Sequence, residues 1–465
     1  MKRIFLIFFI ILNLFSLYAC NIYRYTGGEL KIYSFPKELS VSETFEVSVR
    51  PLSQTNSSIV KCYKAYSHSG EMAFCTFDYN YESPIEIVIK INKTVQEASI
   101  LPTSKGIDST FTNNELRFVI SEPSKLSVEF DGDFSFPLFI FANSIETEKY
   151  SEHDENVIYF APGTHVLEQP LYVQNNQTVY LAPGALVYGR IESNNSQNIK
   201  ICGRGILSGE KFSHGLQDYR PNLILFQNCK NISLSGFIVL DAPGWTIVPR
   251  NSKDITISDI KQISYNYNSD GFDIVSCENV LIEDVMVRNY DDNISIKNLG
   301  GSSKNIEVRN SVIWADCAHN LLIGPENKPI NTGNVFEDIT FKNIDILHNL
   351  ESLSLFQGVM AIMCTDNSII RNVLWEDIRI ERSISGCIIK LFYTDMYAET
   401  TGTIIENITF RNIVSPRRSY CIIEGESLDK PIKNVILNNV VSGQEVLTPD
   451  SPFIKHKYTT FLYND

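Results

Sequence analysis

The chain lacks any excess of positive charge. Its 54 acidic residues outweigh 40 basic ones, for a formal net charge of −14. A nucleic-acid partner, whose phosphates demand a basic footprint, is thereby excluded, and a strongly anionic polysaccharide is disfavoured. There is no Cys-X-X-Cys and no Cys/His set at zinc spacing, so no metal cofactor is expected from that source. No low-complexity linker divides the chain, and no leucine-dominated repeat runs through it. What is plentiful is Ile, Val, Thr and Asn, with 27 Phe and 22 Tyr. That mixture suits pleated, half-buried surfaces and tight turns, and it predicts a helix-poor fold. At 465 residues the chain exceeds what one compact core holds, so a large core and a smaller domain are expected.

The N-terminus, MKRIFLIFFIILNLFSLYAC, places two basic residues before an apolar run and a small residue before Cys20. This is the order of a secretory signal, assigned to residues 1–19, and the run is short for a membrane span. Leu-Tyr-Ala-Cys also fits a lipoprotein cleavage site, with Cys20 as a lipid anchor. The expected location is secreted or cell-surface. Export permits disulfides, and Cys62 and Cys75 flank a short segment that a bridge could close. The cysteines from Cys202 to Cys421 lie in strand-like contexts, where a buried thiol packs as a small hydrophobe. Several Asn-X-Ser/Thr triplets, including those at Asn56, Asn92 and Asn176, have the form of glycosylation acceptors.

A short phrase recurs through the last three hundred residues: Asn or Asp, a β-branched residue, then alternating polar and apolar positions. It reads NISLSG from Asn231, DITISD from Asp254, NVLIED from Asn279 and NIEVRN from Asn305. It continues as DITFKN from Asp338, DIRIER from Asp377, NITFRN from Asn407 and NVILNN from Asn434. The first steps are 23, 25 and 26 residues, and later ones lengthen as inserted loops would make them. Each phrase is too short to bury its apolar side alone, so the copies must stack. Strand-length units at this period predict a right-handed parallel β-helix, with Asn forming an amide ladder along the stack. IYFAPGTHV from Ile158 and VYLAPGALV from Val179 add two earlier coils. Upstream, FEVSVR, IEIVIK, LRFVI and LSVEF alternate apolar and polar positions and predict an antiparallel β-sandwich. The expected division is 20–150 for the sandwich, packed on the solenoid and covering its open first coil, 155–450 for the β-helix and 451–465 for a C-terminal tail.

Residues 266–297 read NYNSDGFDIVSCENVLIEDVMVRNYDDNISIK. Asp270 and the Asp291–Asp292 pair stand 21 residues apart, about one coil, which in a β-helix means one directly above the other, roughly 4.8 Å away. Carboxylates gathered on one outer face repel each other and hold a protonated acid beside an ionised base, the requirement of glycosidic hydrolysis. Neighbours on a strand point to opposite faces, so both members of the pair share a face only if the chain bends there. A solvated turn with stacked acids and a calcium site are the alternative readings of the same spacing.

Asn268-Ser269-Asp270-Gly271-Phe272-Asp273 followed by Asp291-Asp292 resembles the NTDGFD and DD signatures of the polygalacturonases, glycoside hydrolase family 28. The wider context, Lys261-Gln262 before Tyr265-Asn266-Tyr267, Val312-Ile313-Trp314, the YLAPGA phrase from Tyr180 and GILSGE from Gly205, is closer to the related family 49, the dextranases and isopullulanases. The resemblance covers residues 155–350. It implies Asp291 as the general acid, Asp270 and Asp292 orienting and deprotonating water, an inverting reaction on a polysaccharide, and no cofactor. Asn268, His319 and Lys390 are candidate sugar contacts. The family's Gly-His-Gly is absent, with His319 in AHNLLIG the nearest match, and its uronate-gripping Arg-Ile-Lys is reduced to Ile388-Ile389-Lys390. Lysine cannot replace a bidentate arginine clamp, so a neutral α-glucan is favoured over pectin. Trp245, Tyr265 and Tyr267 lie near the acids, but strand parity places Tyr265 and Tyr267 opposite Asn266 and Asn268, facing the core. A pectate lyase would need an arginine base on a neighbouring coil, which the sequence does not place. A non-catalytic carbohydrate-binding solenoid would keep the shape without the chemistry.

Overall fold

The computed structural model describes residues 23–26, 30–214, 220–327, 334–351 and 358–463. The N-terminal apolar run and Cys20 lie outside the described residues.

The first part of the chain forms two sheets packed face to face. Phe45–Pro51, Ile85–Ile91 and Glu115–Ile120 pair antiparallel in one sheet. Their strict alternation turns Val47, Val49, Ile87, Ile89 and Phe118 into the shared core. In the other sheet, Asp133–Ser144 pairs antiparallel with Ser124–Phe130 but parallel with Gly70–Tyr79. Residues 138–142, Leu-Phe-Ile-Phe-Ala, are buried on both faces. Leu138, Ile140 and Ala142 fill the sandwich, while Phe139 and Phe141 press on the solenoid, Phe139 edge-on to Trp314 at 6.0 Å. Cys62 and Cys75 meet in this core with both thiols free, so the anticipated bridge is not formed.

From Val157 onward the chain winds as a parallel β-helix. Tyr159 stands opposite Tyr180 in the first two coils. Two faces make up a 19-stranded sheet, and the third is an 11-stranded sheet running from Leu171–Tyr172 to Ile454–Lys457, among the described residues. The recurring phrases occupy equivalent corners. Asn231, Asp254, Asn279, Asn305, Asp338, Asn407 and Asn434 all adopt left-handed backbone angles near +55°, a conformation that Asn and Asp tolerate best among residues with a side chain. Their amides form the expected ladder, Asn305 to Asn279 at 2.8 Å and Asn434 to Asn407 at 2.9 Å. One phrase falls in the other corner. Val373 is the residue opposite Ile339 and Ile408, so Asn372 holds the ladder position and Asp377 bonds Asn412 in a second ladder. Inside, β-branched columns and a stack of Phe341, Trp375 and Phe410, with centroids 5.5 and 4.7 Å apart, fill the bore.

The sandwich lies along the flank of the solenoid rather than over its first coil. Phe74, Phe139 and Phe141 cover a stripe running from Leu186 through Ile238, Ile263 and Met286 to Leu347. Buried ion pairs fix the register: Lys125 reaches Asp259 at 2.9 Å, and Arg204 reaches Asp78 at 3.1 Å. Such pairs specify one docking geometry, because breaking one leaves a charge stranded away from water. The final residues are not a tail. Ile454–Lys457 pairs with Tyr420–Glu424 and Thr459–Phe461 with Ile432–Ser442, so they complete a last coil.

Candidate active site

The acids occupy the turn that leads into the third face, the face that follows the stripe covered by the sandwich. Phe272–Val275 and Ile294–Lys297 pair in parallel, Phe272 opposite Ile294. The ladder extends back through the turn, Gly271 N–H donating to the Asp292 carbonyl at 2.8 Å and Asn293 N–H to the His319 carbonyl at 3.0 Å. Asp270, Asp292 and His319 thus form one column across three coils. Thr246 N–H donates to the Asp270 carbonyl at 3.0 Å and brings Trp245 beneath it. Asp291 stands beside the column because residues 290–293 bend between Met286–Asn289 and Ile294–Lys297.

A buried amide ladder holds that bend. Asn289 Nδ2 donates to the carbonyls of Ser269 at 2.6 Å and Asp292 at 2.9 Å. Asn293 Nδ2 donates to Asn289 Oδ1 and to the Trp314 carbonyl at 2.8 Å. Asn320 Nδ2 donates to Asn293 Oδ1 at 2.7 Å, and Asn349 Nδ2 to Asn320 Oδ1 at 2.9 Å. Gly271 is required by close approach, since a Cβ there would lie 2.3 Å from the Asn293 carbonyl oxygen.

The carboxyls differ in proton affinity. Burial, reinforced by the charge of Asp292, pushes Asp291 up to about 7. Burial opposes ionisation of Asp292 too, but His319 outweighs it and holds Asp292 below the usual carboxylate value. Asp292 Oδ1 accepts from the His319 backbone N–H at 3.0 Å and lies 2.8 Å from His319 Nδ1. An ionised carboxylate can only accept, so Nδ1 is the donor. Burial and the neighbouring Asp273 drive Asp270 well above its ordinary value, against the pull of Lys297. Lys297 is buried, its ammonium 3.1 Å from Asp270, 2.8 Å from Asp273 and 2.6 Å from Glu326, and 3.6 Å from the centre of the Trp245 ring. One ammonium cannot neutralise three carboxylates, which explains why Asp273 is also raised, to about 6, by burial. Asp270 Oδ1 is buried and accepts no hydrogen bond from the protein.

Five of the six residues expected from the sequence line one pocket: Asn268, Asp270, Asp291, Asp292 and His319. Asn268 takes a left-handed backbone angle of 55°, and its Oδ1 accepts from Arg220 at 2.7 Å. Lys390 is not in the pocket. It stands opposite Ala361, which stands opposite Leu322, so a whole coil, Met360–Cys364, separates it from the coil of His319. Met363 of that intervening coil lines the pocket instead, and the Lys390 ammonium lies 4.6 Å from the Phe392 ring centre. Sequence reasoning missed Lys297, Glu326 and Tyr397, which complete the lining with Trp245, Ala318, Leu322 and Pro325. Tyr265 and Tyr267 do not face the core, because residues 264–271 form a loop in which strand parity has no meaning, and both rings are half-buried.

Lys297 occupies the position between carboxylates that a calcium reading would reserve for the ion. The arginine beside the pocket, Arg220, is committed to the Tyr267 carbonyl at 2.6 Å and to Asn268, which leaves it poorly placed as a lyase base. A larger hollow lies at the edge of the sandwich between residues 105–110 and 117–124, and it gathers no comparable set of buried acids.

Comparison with known proteins finds relatives of low identity. Exopolygalacturonase A of Aspergillus niger is 25% identical over 260 residues, covering 50% of this chain and 58% of that protein. A probable exopolygalacturonase B of Neosartorya fischeri is 23% identical over 237 residues, covering 47% and 51%. The chain therefore spans only about half the length of the curated relatives it matches. Among solved structures, Dex49A from Penicillium minioluteum superposes with a TM-score of 0.66 at 15% identity, covering 95% of this chain and all of that one, which shows a shared fold with both domains included. Residues 188–445, more than half of the chain and the whole of the acidic turn, match the family described as Glycosyl hydrolases family 28, and the chain belongs to that family.

Proposed function

We propose that this protein is an exported glycoside hydrolase that cleaves an α-linked polysaccharide by a single displacement. The observation that carries this reading is the pairing of opposite proton affinities on one turn: Asp291 retains a proton near neutral pH, while Asp292, beside it, is held ionised by His319. Asp291 then protonates the leaving glycosidic oxygen. Asp292 takes a proton from the attacking water, and Asp270, with Oδ1 free to accept, holds that water in place. His319 and Lys297 fix Asp292 and Asp270 by hydrogen bonds, and exposed Asn268 is the residue we assign to a sugar hydroxyl.

The substrate reading is a neutral α-glucan, of the dextran or pullulan kind. Among the described residues lining the pocket, Lys297 is the only lysine or arginine, and its charge is spent on Asp270, Asp273 and Glu326. The wall above is apolar, built from Leu322 and Met363. A uronate carboxylate entering there would meet acids and no clamp. The second reading, a polygalacturonase, is favoured by the family match and by the names of the relatives. Reducing-sugar release on dextran, pullulan and polygalacturonate separates the two. Greater kcat/KM on a neutral glucan is expected. Greater kcat/KM on polygalacturonate would overturn the substrate reading and leave the acid–base assignment standing.

A further inference from the structure

The hairpin joining Tyr63–Ser67 to Gly70–Tyr79 carries the sandwich to the lip of the pocket. Its Tyr66 meets Tyr265 edge-on, with ring centroids 6.3 Å apart, and its His68 lies 4.5 Å from Tyr290 and 5.6 Å from Tyr267. Tyr267 and Tyr290 meet each other at 4.8 Å, and His214 stacks on Tyr265 at 5.1 Å with planes 7° apart. The rings form two triads, Tyr66–Tyr265–His214 and His68–Tyr267–Tyr290, each drawn from both domains and joined through the hairpin on one side and the Tyr265–Tyr267 loop on the other. Two of them directly precede pocket residues, Tyr267 before Asn268 and Tyr290 before Asp291.

A purely structural aromatic cluster would be sealed from water, since ring burial is what stabilises it. This one is not. Tyr66 is 44% exposed, His68 is exposed, and the other four rings are half-buried. A fixed polar group stands beside it as well: His214 Nε2 lies 3.2 Å from the Asp241 carbonyl oxygen. Apolar ring faces beside a fixed polar group match the two-sided chemistry of a sugar ring, which presents C–H on one face and hydroxyls at its rim.

We infer that the hairpin rings Tyr66 and His68, with Tyr265, Tyr267, Tyr290 and His214, form a sugar-binding subsite that receives units of the polysaccharide beyond those held at the acids. The sandwich thereby contributes to substrate length preference, a role distinct from covering the solenoid. This inference rests on the reading of the acidic pocket as the cleavage site.

The test uses the full chain carrying Asp291→Asn, which binds without turnover, and titrates it calorimetrically with isomaltotriose, isomaltohexaose, trigalacturonate and hexagalacturonate. Adding Tyr66→Ala or His68→Ala is expected to weaken the hexasaccharide by about fivefold or more while leaving the trisaccharide unchanged. Tyr66→Phe, which keeps the ring, is expected to restore most of the loss. An equal loss at both lengths, no loss at either, or no binding of either hexasaccharide overturns the subsite. If hexagalacturonate binds and isomaltohexaose does not, the neutral-glucan reading fails, and the same length comparison in the uronate series decides the subsite separately. Both variants sit on an exposed hairpin, and unchanged thermal melting confirms that folding is intact.

Discussion

Replacing His319 by alanine should move the acid limb of the pH–rate profile, and by an amount set by the geometry. His319 gives Asp292 Oδ1 two hydrogen bonds, one from the backbone at 3.0 Å and one from Nδ1 at 2.8 Å. The alanine variant keeps the first and loses the second. A hydrogen bond to a charged group is worth about 1.5–3 kcal/mol, and one pKa unit corresponds to about 1.4 kcal/mol. Asp292 should therefore rise by roughly one to two units, since the lost bond stabilised only the ionised form. Asp292 must be ionised to act as base, so activity should fail at a higher pH than in the native protein as the solution is acidified. The alkaline limb, which follows loss of the Asp291 proton at about 7, should move less. Because the carboxyls interact, the limbs report the set rather than single residues. The assay is kcat/KM across pH on the best polymer from the substrate screen, with thermal melting as a control. An acid limb that stays in place, with the fold intact, would refute the claim that His319 holds Asp292 ionised.

Lys297→Met should destabilise the protein by about 3–5 kcal/mol near neutral pH, because it strands buried Asp270 and Asp273 without a cation. Without the ammonium the buried carboxyls take up protons at higher pH, so the penalty should shrink as pH falls toward about 6, where Asp273 is protonated even beside Lys297; thermal melts at several pH values would show this, and a pH-independent loss would contradict it. Gly271→Ala should cost about 1–3 kcal/mol of stability through its clash with the Asn293 carbonyl, and should depress kcat more than a remote surface change of equal stability cost. The product first released from an α-linked glucan should be the β-anomer, seen by proton NMR before mutarotation. An initial α-anomer would make one of the aspartates a nucleophile.

The solenoid was legible because its corners each demand a left-handed residue, and Asn231, Asp254, Asn279, Asn305, Asp338, Asn407 and Asn434 advertise that demand in the sequence. The acidic column was legible for the same reason: once the period is known, spacing becomes height. Lys297 was not. In Ile-Ser-Ile-Lys its parity marks it as outward-facing, which in a sequence reads as solvated, and only Asp270, Asp273 and Glu326 from other segments turn that position into a buried ion-pair centre. Lys390 was misplaced because Ile388-Ile389-Lys390 echoes the family's tripeptide, whereas the phrase at Asp338 opens a further coil, that of Met360–Cys364, between it and His319. Asp377 was assigned to the wrong corner because two ladders with the same residue preference run five positions apart, as Asn372 and Asp377 do. Tyr265 and Tyr267 were turned inward by a parity rule that holds only where the chain is extended.

The direct test of the acid–base assignment is Asp291→Asn. The amide keeps the shape of the carboxyl and cannot deliver the proton, so kcat on the preferred polysaccharide should fall by about a hundredfold or more, with circular dichroism, melting temperature and oligosaccharide binding unchanged. Near-native turnover by that variant, with the fold intact, would remove Asp291 from the chemistry and contradict the account.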